Sequence, residues 1–290
     1  MSDSSFDPAR PMPPPEEMTR TLRAALPLFA QVDWVAETGS TNGDLLDRAR
    51  DPTGPMTRPW LLGCHLQTRG RGRAGRTWQN RTDTNLMFSC AFDIFLPARQ
   101  LPTLAPLIGL VSCEALRGQI DPSARAHLTM KWPNDLQWKQ AKLAGILIES
   151  TRSGTTNAAD HHLIIIGMGL NLRDAHALSA ALNRRIADWA EIASQDPQAA
   201  AMTPADLVAC IAMAWFQAIN RATAYGFENL PARYAQVDGL SGQLLDVLDN
   251  GRLLQTGAAC GIDTQGRLLL RNASGLHPIS MGEISVRVRP

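Results

Sequence analysis

Four arginines and three glycines lie together in one short stretch of the sequence, between Gln67 and Trp78. Guanidinium groups this close repel one another, and glycine leaves the backbone free to move, so we expect a loop that is mobile without a ligand. A phosphate or carboxylate would neutralise the arginines through charge-assisted hydrogen bonds, order the loop and keep water from a reactive intermediate. The indole of Trp78 offers a flat surface on which a base could stack.

The loop alone leaves three interpretations open. It could bind a small anionic molecule, it could be an Arg/Gly-rich RNA-binding segment, or it could be a solvated linker. The formal net charge of the chain is only +1, so the protein as a whole has no field that would draw it to nucleic acid or to an acidic membrane. Any anion binding must therefore come from local clusters such as this one.

A second cluster combines two lysines with a tight turn. Lys131 begins the run Lys-Trp-Pro-Asn-Asp, and Lys142 begins an apolar run that ends in a glutamate. A compact positive charge at the rim of a core is poorly screened by water, and Gly145 would let a ligand or another backbone approach closely. The alternative is that both lysines are ordinary surface residues at strand ends and that Asn134 and Asp135 only form a turn.

Two shorter motifs could also contact a ligand. The run Ser40-Thr41-Asn42 precedes a predicted helix, with Thr41 as the candidate N-cap and Asp44 three residues later. Helix capping alone explains these residues, but a helix N-terminus also presents unpaired N–H groups to a ligand. The run Gly167–Asn171 places glycines and an asparagine at a strand end, a pattern too common to indicate a nucleotide fold by itself.

The motifs lie among predicted strands and helices. Apolar patterns predict strands at Val32–Thr38, Trp60–Gln67, Leu86–Phe95, His127–Trp132, Leu136–Trp138, Ala144–Ser150 and Leu163–Leu172. Helices are predicted at residues 18–29, after Ser40, at Leu104–Leu116 and from Thr203-Pro204 onward, where Leu207, Ile211, Trp215 and Ile219 share one face. Closely spaced strands with local turns favour a largely antiparallel or mixed sheet covered by helices. Residues 173–202 give no clear pattern.

The pattern changes to short strands after Asp238. These are predicted at Gln243–Leu248, Arg252–Ile262, Arg267–Arg271 and Glu283–Val288, and Asn250-Gly251 suits a type I′ hairpin turn. About 50 residues of such strands make a small β-barrel. The first 17 residues contain five prolines among polar residues, which predicts a disordered tail. The expected division is therefore a tail at 1–17, a large domain at 18–238 and a small domain at 239–290.

Length and composition fit a globular protein of this kind: 290 residues, 44% hydrophobic and 19% charged. Five cysteines without a Cys-x-x-Cys spacing indicate free thiols in a reducing compartment. The apolar run at 163–172 is too short to span a bilayer, and the N-terminus lacks a signal-peptide pattern, so we expect a cytoplasmic protein. No metal site is predicted, and His161-His162 are expected to form the polar border of a strand.

The order and spacing of the motifs resemble those of bacterial biotin–protein ligases, from about Val32 to Val288. The matching blocks are Gly39–Asn42, Gln67–Trp78, Lys131–Asp135, Lys142–Glu149, Gly167–Asn171 and Met281–Ser285. A Gly-Arg-Gly-Arg loop followed by Lys-Trp-Pro-Asn-Asp is quite specific to that family. The chain departs from the family at Ala74, where relatives often carry a basic or larger residue, and at Gln79–Asn85, which lacks a glycine-containing run.

The resemblance implies an α+β fold. A mixed-sheet catalytic domain with covering helices, like that of biotin and lipoate ligases, would precede a small C-terminal SH3-like β-barrel. The expected biotin-binding positions are Ser40, Thr41, Asn42, Gln67, Gly70, Arg71, Gly72, Arg73, Lys142 and Gly145. The expected nucleotide-binding positions are Arg73, Arg76, Trp78, Lys131, Asn134, Lys142 and Asn171. Of these, Lys142, Arg71 and Arg73 are expected to be catalytic.

The activity implied by the resemblance is ATP-dependent formation of biotinyl-5′-AMP, with Mg²⁺ bound to the ATP. The biotinyl group would then pass to a lysine of a biotin carboxyl carrier protein or domain, such as that of acetyl-CoA carboxylase. Lipoate ligases, which share a related fold and the same adenylation chemistry, are one rival, and a non-enzymatic RNA-binding protein is another. The residues before the first strand leave no room for a three-helix DNA-binding module. We therefore expect the ligase-only type, acting without DNA or a membrane, as a monomer or weak homodimer.

Overall fold

Seven strands form one mixed sheet in the larger part of the molecule. A computed structural model describes residues 6–7, 9–51, 54, 56–152, 160–282 and 284–289. The strands are β1 Gln31–Thr38, β2 Trp60–Gln67, β3 Asn85–Phe95, β4 Leu128–Lys131, β5 Asp135–Trp138, β6 Ala141–Arg152 and β7 His161–Asn171. Their order across the sheet is β1-β2-β3-β7-β6-β5-β4, and β1 and β2 run parallel while the other neighbours are antiparallel. The predicted mixed sheet is confirmed.

In the described part of the chain, eight α-helices accompany the strands. They are α1 Pro15–Ala25, α2 Thr41–Arg50, α3 Leu104–Arg117, α4 Ala175–Leu182, α5 Trp189–Ala193, α6 Pro197–Ala200, α7 Pro204–Tyr225 and α8 Leu230–Tyr234. Helices α1, α3 and α7 cover one face of the sheet, while α2 covers the other through a smaller apolar cluster around Leu45 and Leu62. The strands β3 and β7 are buried on both faces for this reason, and they carry almost continuous apolar runs.

The long helix α7 forms the centre of the main core. It begins at a capping box, in which Thr203 and Asp206 exchange hydrogen bonds, and Pro204 occupies its first turn. By length and a mean hydropathy of 1.2 this helix could cross a membrane, but Leu207, Ile211 and Trp215 are fully buried against the rest of the molecule. The arrangement is that of a core helix, and the predicted apolar face is confirmed.

The N-cap of α2 is Ser40, so the prediction of Thr41 at that position was wrong. The hydroxyl of Ser40 accepts a hydrogen bond from the backbone N–H of Gly43 at 3.3 Å. Thr41 is already the first helical residue, and its own N–H donates to the Gln67 side chain on β2 at 2.8 Å. The helix start is therefore attached directly to the end of a neighbouring strand.

A five-stranded antiparallel sheet forms the C-terminal part, in agreement with the predicted small barrel. Its strands are β8 Leu244–Asp249, β9 Arg252–Ile262, β10 Leu268–Asn272, β11 Gly275–Ile279 and β12 Ile284–Val288, in the order β11-β10-β9-β8-β12. Asn250 and Gly251 have φ angles of 47° and 83°, as a type I′ turn requires. Strand β11 was not predicted, because Pro278 interrupts its pattern. A proline is compatible with this strand because β11 lies at the edge of the sheet.

The two parts of the molecule contact each other through polar and apolar groups. The indole of Trp132 donates to the backbone oxygen of Gly266 at 3.0 Å, and the Thr103 hydroxyl donates to that of Gln265 at the same distance. The chain passes from one part to the other next to β4, where the N–H of Gly239 donates to the oxygen of Met130. The boundary at residues 238/239 stays a prediction.

The N-terminal segment differs from the predicted disordered tail. Residues 1–5 and 8 lie outside the described residues, but α1 begins at Pro15, and Phe6 and Met12 are only 7% and 5% exposed. The prolines remove backbone donors, yet these two apolar side chains reach the main core and order the segment. Segment 173–202, which gave no clear sequence pattern, folds into the three short helices α4, α5 and α6, and aspartates cap the last two.

Candidate active site

The predicted site residues meet around one cavity of about 390 Å³. Its walls are the start of α2, the ends of β2, β6 and β7, the Gly/Arg loop (residues 69–77), the turn between β4 and β5, and the edge strand β12. Every predicted site residue except Gly70 lines this cavity. Gly70 instead supports the loop from behind, where its carbonyl accepts the N–H of Trp78 at 2.9 Å.

The charge of the cavity is strongly one-sided. Among the described residues, its lining contains a single carboxylate, that of Asp135. The basic residues of the lining are Arg71, Arg73, Arg76, Lys131, Lys142, Arg184 and Arg287. Seven cations and one anion around a single concave space form a site for a polyanion.

One end of the cavity is neutral but rich in hydrogen-bonding groups. The Gln67 oxygen holds the N–H of Thr41, and the Thr41 hydroxyl lies 2.7 Å from that of Ser89. Ser89 donates to the Asn42 oxygen at 2.6 Å, and the Asn42 amide donates to Glu149 at 2.8 Å. Ser89 and Asn42 are buried, so this chain fixes the directions of the donors and acceptors.

Arg71 is attached to the same network through Glu149. Their nearest charged atoms, Arg71 Nη2 and Glu149 Oε1, are 3.6 Å apart. Gly167 makes this arrangement possible, because a Cβ at that position would lie 2.1 Å from the Asn42 oxygen. The neutral end and Arg71 are therefore held by one connected set of side chains.

The Gly/Arg loop is folded as a tight hairpin. The N–H of Gly72 donates to the oxygen of Arg76 at 2.6 Å, and Arg71 and Thr77 face each other as an antiparallel bridge. At its tip Ala74 and Gly75 have φ angles of 52° and 67°, a conformation that costs an alanine more than a glycine. The predicted mobility of the loop remains a prediction.

Arg73 connects the loop with both parts of the molecule. Its guanidinium donates to the Asn134 side chain at 3.3 Å and to the backbone oxygen of Gly282, beside β12, at 2.7 Å. Burial lowers the pKa of Arg73, and the nearby carboxylate of Asp135 opposes that change. A second contact, at 3.5 Å, reaches the oxygen of Ile284. The C-terminal sheet therefore takes part in building the site.

Trp78 lies flat against two strands that carry glycine where it approaches. A Cβ at Gly169 would be 2.3 Å from the indole ring, and one at Gly145 would be 3.3 Å from it. The Nζ atom of Lys142 is 5.5 Å from the ring centroid, within the range of a cation–π contact. The indole N–H is buried without a hydrogen-bond partner among the described residues.

The two predicted lysines share one carboxylate. Lys142 Nζ donates to Asp135 Oδ1 at 2.7 Å across the paired strands β5 and β6. Burial lowers the pKa of Lys131, while Asp135 acts in the opposite direction. The positive charge of Lys131 is therefore poorly solvated in the empty cavity, and an anionic ligand would stabilise it.

Asn134 and Asn171 line the cavity, but their amides are largely occupied by the protein. The Asn134 amide donates to the oxygen of Ile146 at 2.6 Å. Asn171 is 2% exposed; it donates to the oxygen of Ala187 at 3.0 Å, and its own oxygen accepts from Asn85. Both asparagines therefore stabilise the wall of the cavity. Nucleotide binding by these residues stays an expectation from the sequence.

Sequence reasoning missed several residues of this site. Ser89 and Glu149 are polar residues within the apolar strands β3 and β6. A polar residue inside an apolar strand was the sequence signal that could have identified them as site residues. Arg184 follows α4 in a segment without a clear pattern, and Arg287 reaches the cavity from the far end of the chain. The two histidines are the first residues of β7, as expected of its polar border, but both are buried, and His161 contacts Asp93 at 2.7 Å.

Comparison with known proteins agrees with this geometry. The model of the biotin/lipoate A/B protein ligase family matches residues 43–171, and that of the biotin protein ligase C terminal domain matches residues 241–287. The bifunctional ligase/repressor BirA of Salmonella typhimurium is 30% identical over 250 residues, which cover 86% of this chain and 72% of that protein. The chain belongs to the biotin/lipoate A/B protein ligase family. The resemblance inferred from the sequence is thereby confirmed.

Two other members of the family extend the comparison. The biotin–[acetyl-CoA-carboxylase] ligase of Paracoccus denitrificans is 29% identical over 254 residues, 86% of this chain and 98% of its own length. The biotin protein ligase of Aquifex aeolicus, solved with biotin and ATP, shares the fold with a TM-score of 0.70 at 23% identity, over 90% of this chain and 100% of its own. The chain thus has the fold of this family both in the seven-stranded part and in the C-terminal sheet.

Proposed function

We propose that this protein is an ATP-dependent biotin–protein ligase. It activates biotin as biotinyl-5′-AMP and transfers the biotinyl group to a lysine of a biotin carboxyl carrier protein or domain. The observation that carries the proposal is the cavity itself, in which seven cationic side chains and one carboxylate adjoin a neutral end made of fixed hydrogen-bonding groups. The two ends match the two reactants: a triphosphate at the cationic end and the polar ureido ring of biotin at the neutral end.

The first half-reaction joins two anions, and the cavity offsets their repulsion. An oxygen of the biotin carboxylate bonds to the α-phosphorus of ATP, the bond from that phosphorus to the bridging oxygen breaks, and pyrophosphate leaves. Two unit charges about 4 Å apart repel by roughly 4 kcal/mol at an effective dielectric near 20. Lys142, Arg71 and Arg73 lie where they would stabilise the charge that builds on the transferring phosphoryl group.

Mg²⁺ would enter this site together with ATP. Magnesium is commonly held by one or two carboxylates together with substrate phosphates, and Asp135 supplies a carboxylate in the cavity lining. When bound, the ion neutralises part of the triphosphate charge. Asp135 would have to exchange part of its contact with Lys142 for this role, which would free the lysine for the reacting phosphate.

The second half-reaction needs no covalent link to this protein. The amine of the carrier lysine attacks the carbonyl carbon of the mixed anhydride, the bond to the phosphate oxygen breaks, and AMP leaves as the amine loses a proton. The Gly/Arg loop would protect the anhydride from water until the carrier arrives. Among carriers we propose the biotinyl domain of acetyl-CoA carboxylase, supported by the names of the Paracoccus denitrificans and Mycobacterium tuberculosis relatives.

Lipoate ligation is the second candidate, since the family model spans both activities. The neutral end of the cavity favours biotin. A ureido group can form further hydrogen bonds with the remaining lone pairs of the Thr41 and Ser89 hydroxyls, which an apolar dithiolane ring cannot form.

Two finer parts of the proposal concern assembly and location. We propose a cytoplasmic enzyme that acts as a monomer or weak homodimer and without binding DNA. Three buried free thiols, Cys64, Cys90 and Cys113, support a reducing compartment. Sedimentation with and without biotin plus ATP, and a DNA mobility-shift assay, would test the assembly and the DNA part.

The deciding experiment measures pyrophosphate release with ATP, Mg²⁺ and biotin, with lipoate and octanoate as competing acids. Release with biotin alone, followed by a biotinyl mass gain on an apo-carrier domain, would establish the proposal. Release with lipoate or octanoate instead would keep the adenylation chemistry and overturn the substrate. If none of the three acids causes pyrophosphate release and the protein binds RNA at about 200 mM salt, the nucleic-acid interpretation of the Gly/Arg loop would be favoured.

A further inference from the structure

The N-terminal strap, defined as Phe6 with residues 9–14, is anchored to the rest of the molecule at its beginning. The backbone N–H of Phe6 donates to the oxygen of Ala200 at 2.6 Å, and the Phe6 ring is 7% exposed. The guanidinium of Arg173 lies over the Phe6 ring, 5.7 Å from its centroid. Burial of one aromatic side chain fixes the entry of a segment whose prolines supply few backbone donors.

Two hydrogen bonds attach the strap to loops beside the site. Met12, between two prolines, directs its N–H to the carboxylate of Asp83 at 3.1 Å. The carbonyl of Arg10 accepts a hydrogen bond from the Arg173 guanidinium. A hydrogen bond to a charged acceptor is among the stronger contacts that an exposed segment can make.

A third contact attaches the strap to a strand of the site. The Nε2 atom of His65 lies 3.0 Å from the oxygen of Pro13, while its Nδ1 accepts the indole N–H of Trp34 at 2.7 Å. His65 therefore donates to the strap. His65 lies on β2, two positions before Gln67. The Gln67 side chain accepts the N–H of Thr41 at the neutral end of the cavity.

The attached loops are continuous with the walls of the cavity. Asp83 belongs to the turn that follows Trp78, and Arg173 lies two residues after the end of β7 at Asn171. The two loops are also joined to each other, because the N–H groups of Leu172 and Arg173 donate to the oxygen of Thr84 at 2.9 and 3.2 Å. The strap therefore contacts, from outside the site, the two loops that adjoin Trp78 and Asn171.

The loop that carries Trp78 also adjoins a second cavity. That cavity, of about 600 Å³, is lined by Gly70, Trp78, Asn85, Arg173 and Leu178. The indole ring packs on β6 and β7, but the following residues 79–84 form no helix or strand, and local opening of such segments has a low free-energy cost.

We propose that the N-terminal strap is a positioning element for the nucleotide side of the site, with Asp83 as the residue through which it acts. It restrains the turn that follows Trp78, so that the loop is held close to its ligand-binding arrangement before ATP arrives. The kinetic part of this inference rests on the proposed function, whereas the restraint of the loop does not.

The test compares full-length variants altered on either side of the contact. Phe6→Ala releases the anchor, Asp83→Ala removes the acceptor of the Met12 N–H, and Asp83→Asn keeps an acceptor oxygen at the same place. Tyr225→Ala removes an exposed aromatic at the end of α7 and is the matched control for Phe6→Ala. Hydrogen–deuterium exchange of residues 70–84 is measured in the free protein, and KM for ATP and kcat are measured from pyrophosphate release.

We expect exchange in residues 70–84 to become about fivefold faster in Phe6→Ala and in Asp83→Ala, the factor set by one hydrogen bond. KM for ATP should rise by a similar factor, with kcat within about twofold. Asp83→Asn and Tyr225→Ala should match the wild type. The double variant Phe6→Ala/Asp83→Ala should be no worse than either single one, since both break the same connection.

Unchanged exchange of residues 70–84 in Phe6→Ala would overturn the proposal. So would effects of the two substitutions that simply multiply, because Asp83 would then act without the strap. Faster exchange in both variants, combined with no biotin-dependent pyrophosphate release from the wild type, would support the strap and overturn the proposed function. The two failures are therefore distinguishable.

Discussion

Lys142 and Asp135 form an ion pair of 2.7 Å on the wall of the cavity, beneath the ring of Trp78. The two residues come from neighbouring antiparallel strands, β6 and β5, and both side chains are partly exposed to the cavity. In the free protein the carboxylate holds the lysine, and an entering phosphate would compete for the same ammonium group. The pair therefore keeps the central cation in position without leaving its charge unpaired.

Lys142→Ala should slow adenylate formation much more than it weakens biotin binding. Loss of a cation aimed at the transferring phosphoryl group costs about 10²- to 10³-fold in rate, and the variant also leaves Asp135 as an uncompensated negative charge in the cavity. The measurements are the single-turnover rate of pyrophosphate release and the Kd for biotin. Lys139→Ala, an exposed lysine on the adjoining turn, is the control. A Lys142→Ala rate close to that of the wild type would remove Lys142 from the chemistry.

Gly169→Ala should displace Trp78 and weaken ATP binding. The added methyl group would lie 2.3 Å from the indole ring, closer than any real contact, so the ring must move from its place against β7. We expect KM for ATP to rise about tenfold or more, because a base–aromatic stack contributes roughly 1–3 kcal/mol. Gly54→Ala, where an added Cβ meets no atom within 4 Å, is the control. Equal KM values in the two variants would contradict a nucleotide site at Trp78.

The Gly/Arg loop should be protected by its substrates. Trypsin should cleave the free protein quickly between Arg69 and Arg76, and biotin with ATP should suppress the cleavage, because the adenylate would neutralise the arginines and close the loop. Cleavage is followed by mass spectrometry of the fragments. ATP with octanoate in place of biotin serves as the comparison, and the same cleavage rate with and without substrates would argue against closure.

Glu149 should matter more for its hydrogen bond to Asn42 than for its charge near Arg71. Glu149→Gln keeps an oxygen that can accept the Asn42 amide, and the ion pair that it loses is half-exposed and 3.6 Å long. We expect biotin affinity within about threefold of the wild type in Glu149→Gln, and about tenfold weaker in Glu149→Ala, where the amide loses its partner. Calorimetric titration with biotin measures both, and the reverse order would show that the charge on Arg71 is decisive.

Asp238→Asn should stabilise the protein at neutral pH. Burial raises the pKa of Asp238 above 3.8, and its Oδ2, like the hydroxyl of Tyr234, is buried without a hydrogen-bond partner among the described residues. A carboxyl whose pKa is raised on folding favours the folded state only while it is protonated, so stability is lost as the pH rises through the folded pKa. The amide avoids this loss, and we expect a gain of about 1 kcal/mol.

Urea unfolding of wild type and Asp238→Asn between pH 4.5 and 8 measures that gain. The difference should be largest at the alkaline end and shrink as the pH falls, because protonation of the wild-type carboxyl removes its disadvantage. Asp249→Asn, at a hairpin in the C-terminal sheet, is the control. A difference that does not depend on pH would show that the effect of the substitution is not electrostatic.

Local sequence chemistry was sufficient for much of the fold. The Thr203-Pro204 start of α7, its buried face and the Asn250-Gly251 turn each depend on residues close in the chain, so periodicity and turn chemistry predicted them. The sequence motifs of the site could also be predicted from residues close in the chain. An arginine loop, two lysines at strand ends and glycines that permit a close approach are recognisable without coordinates, because their chemistry is carried by contiguous residues.

Only the tertiary structure decided which distant groups meet. Ser89 and Glu149 come from strands whose pairing order brings them beneath Asn42. Arg287 reaches the cavity because the C-terminal sheet packs beside the end of β4, where Trp132 donates to Gly266. The N-terminal segment is the clearest case. Its proline-rich composition predicts disorder, but two buried side chains and contacts to two loops, to β2 and to α6 hold it in place. Such non-local contacts leave no pattern in the sequence of the segment itself.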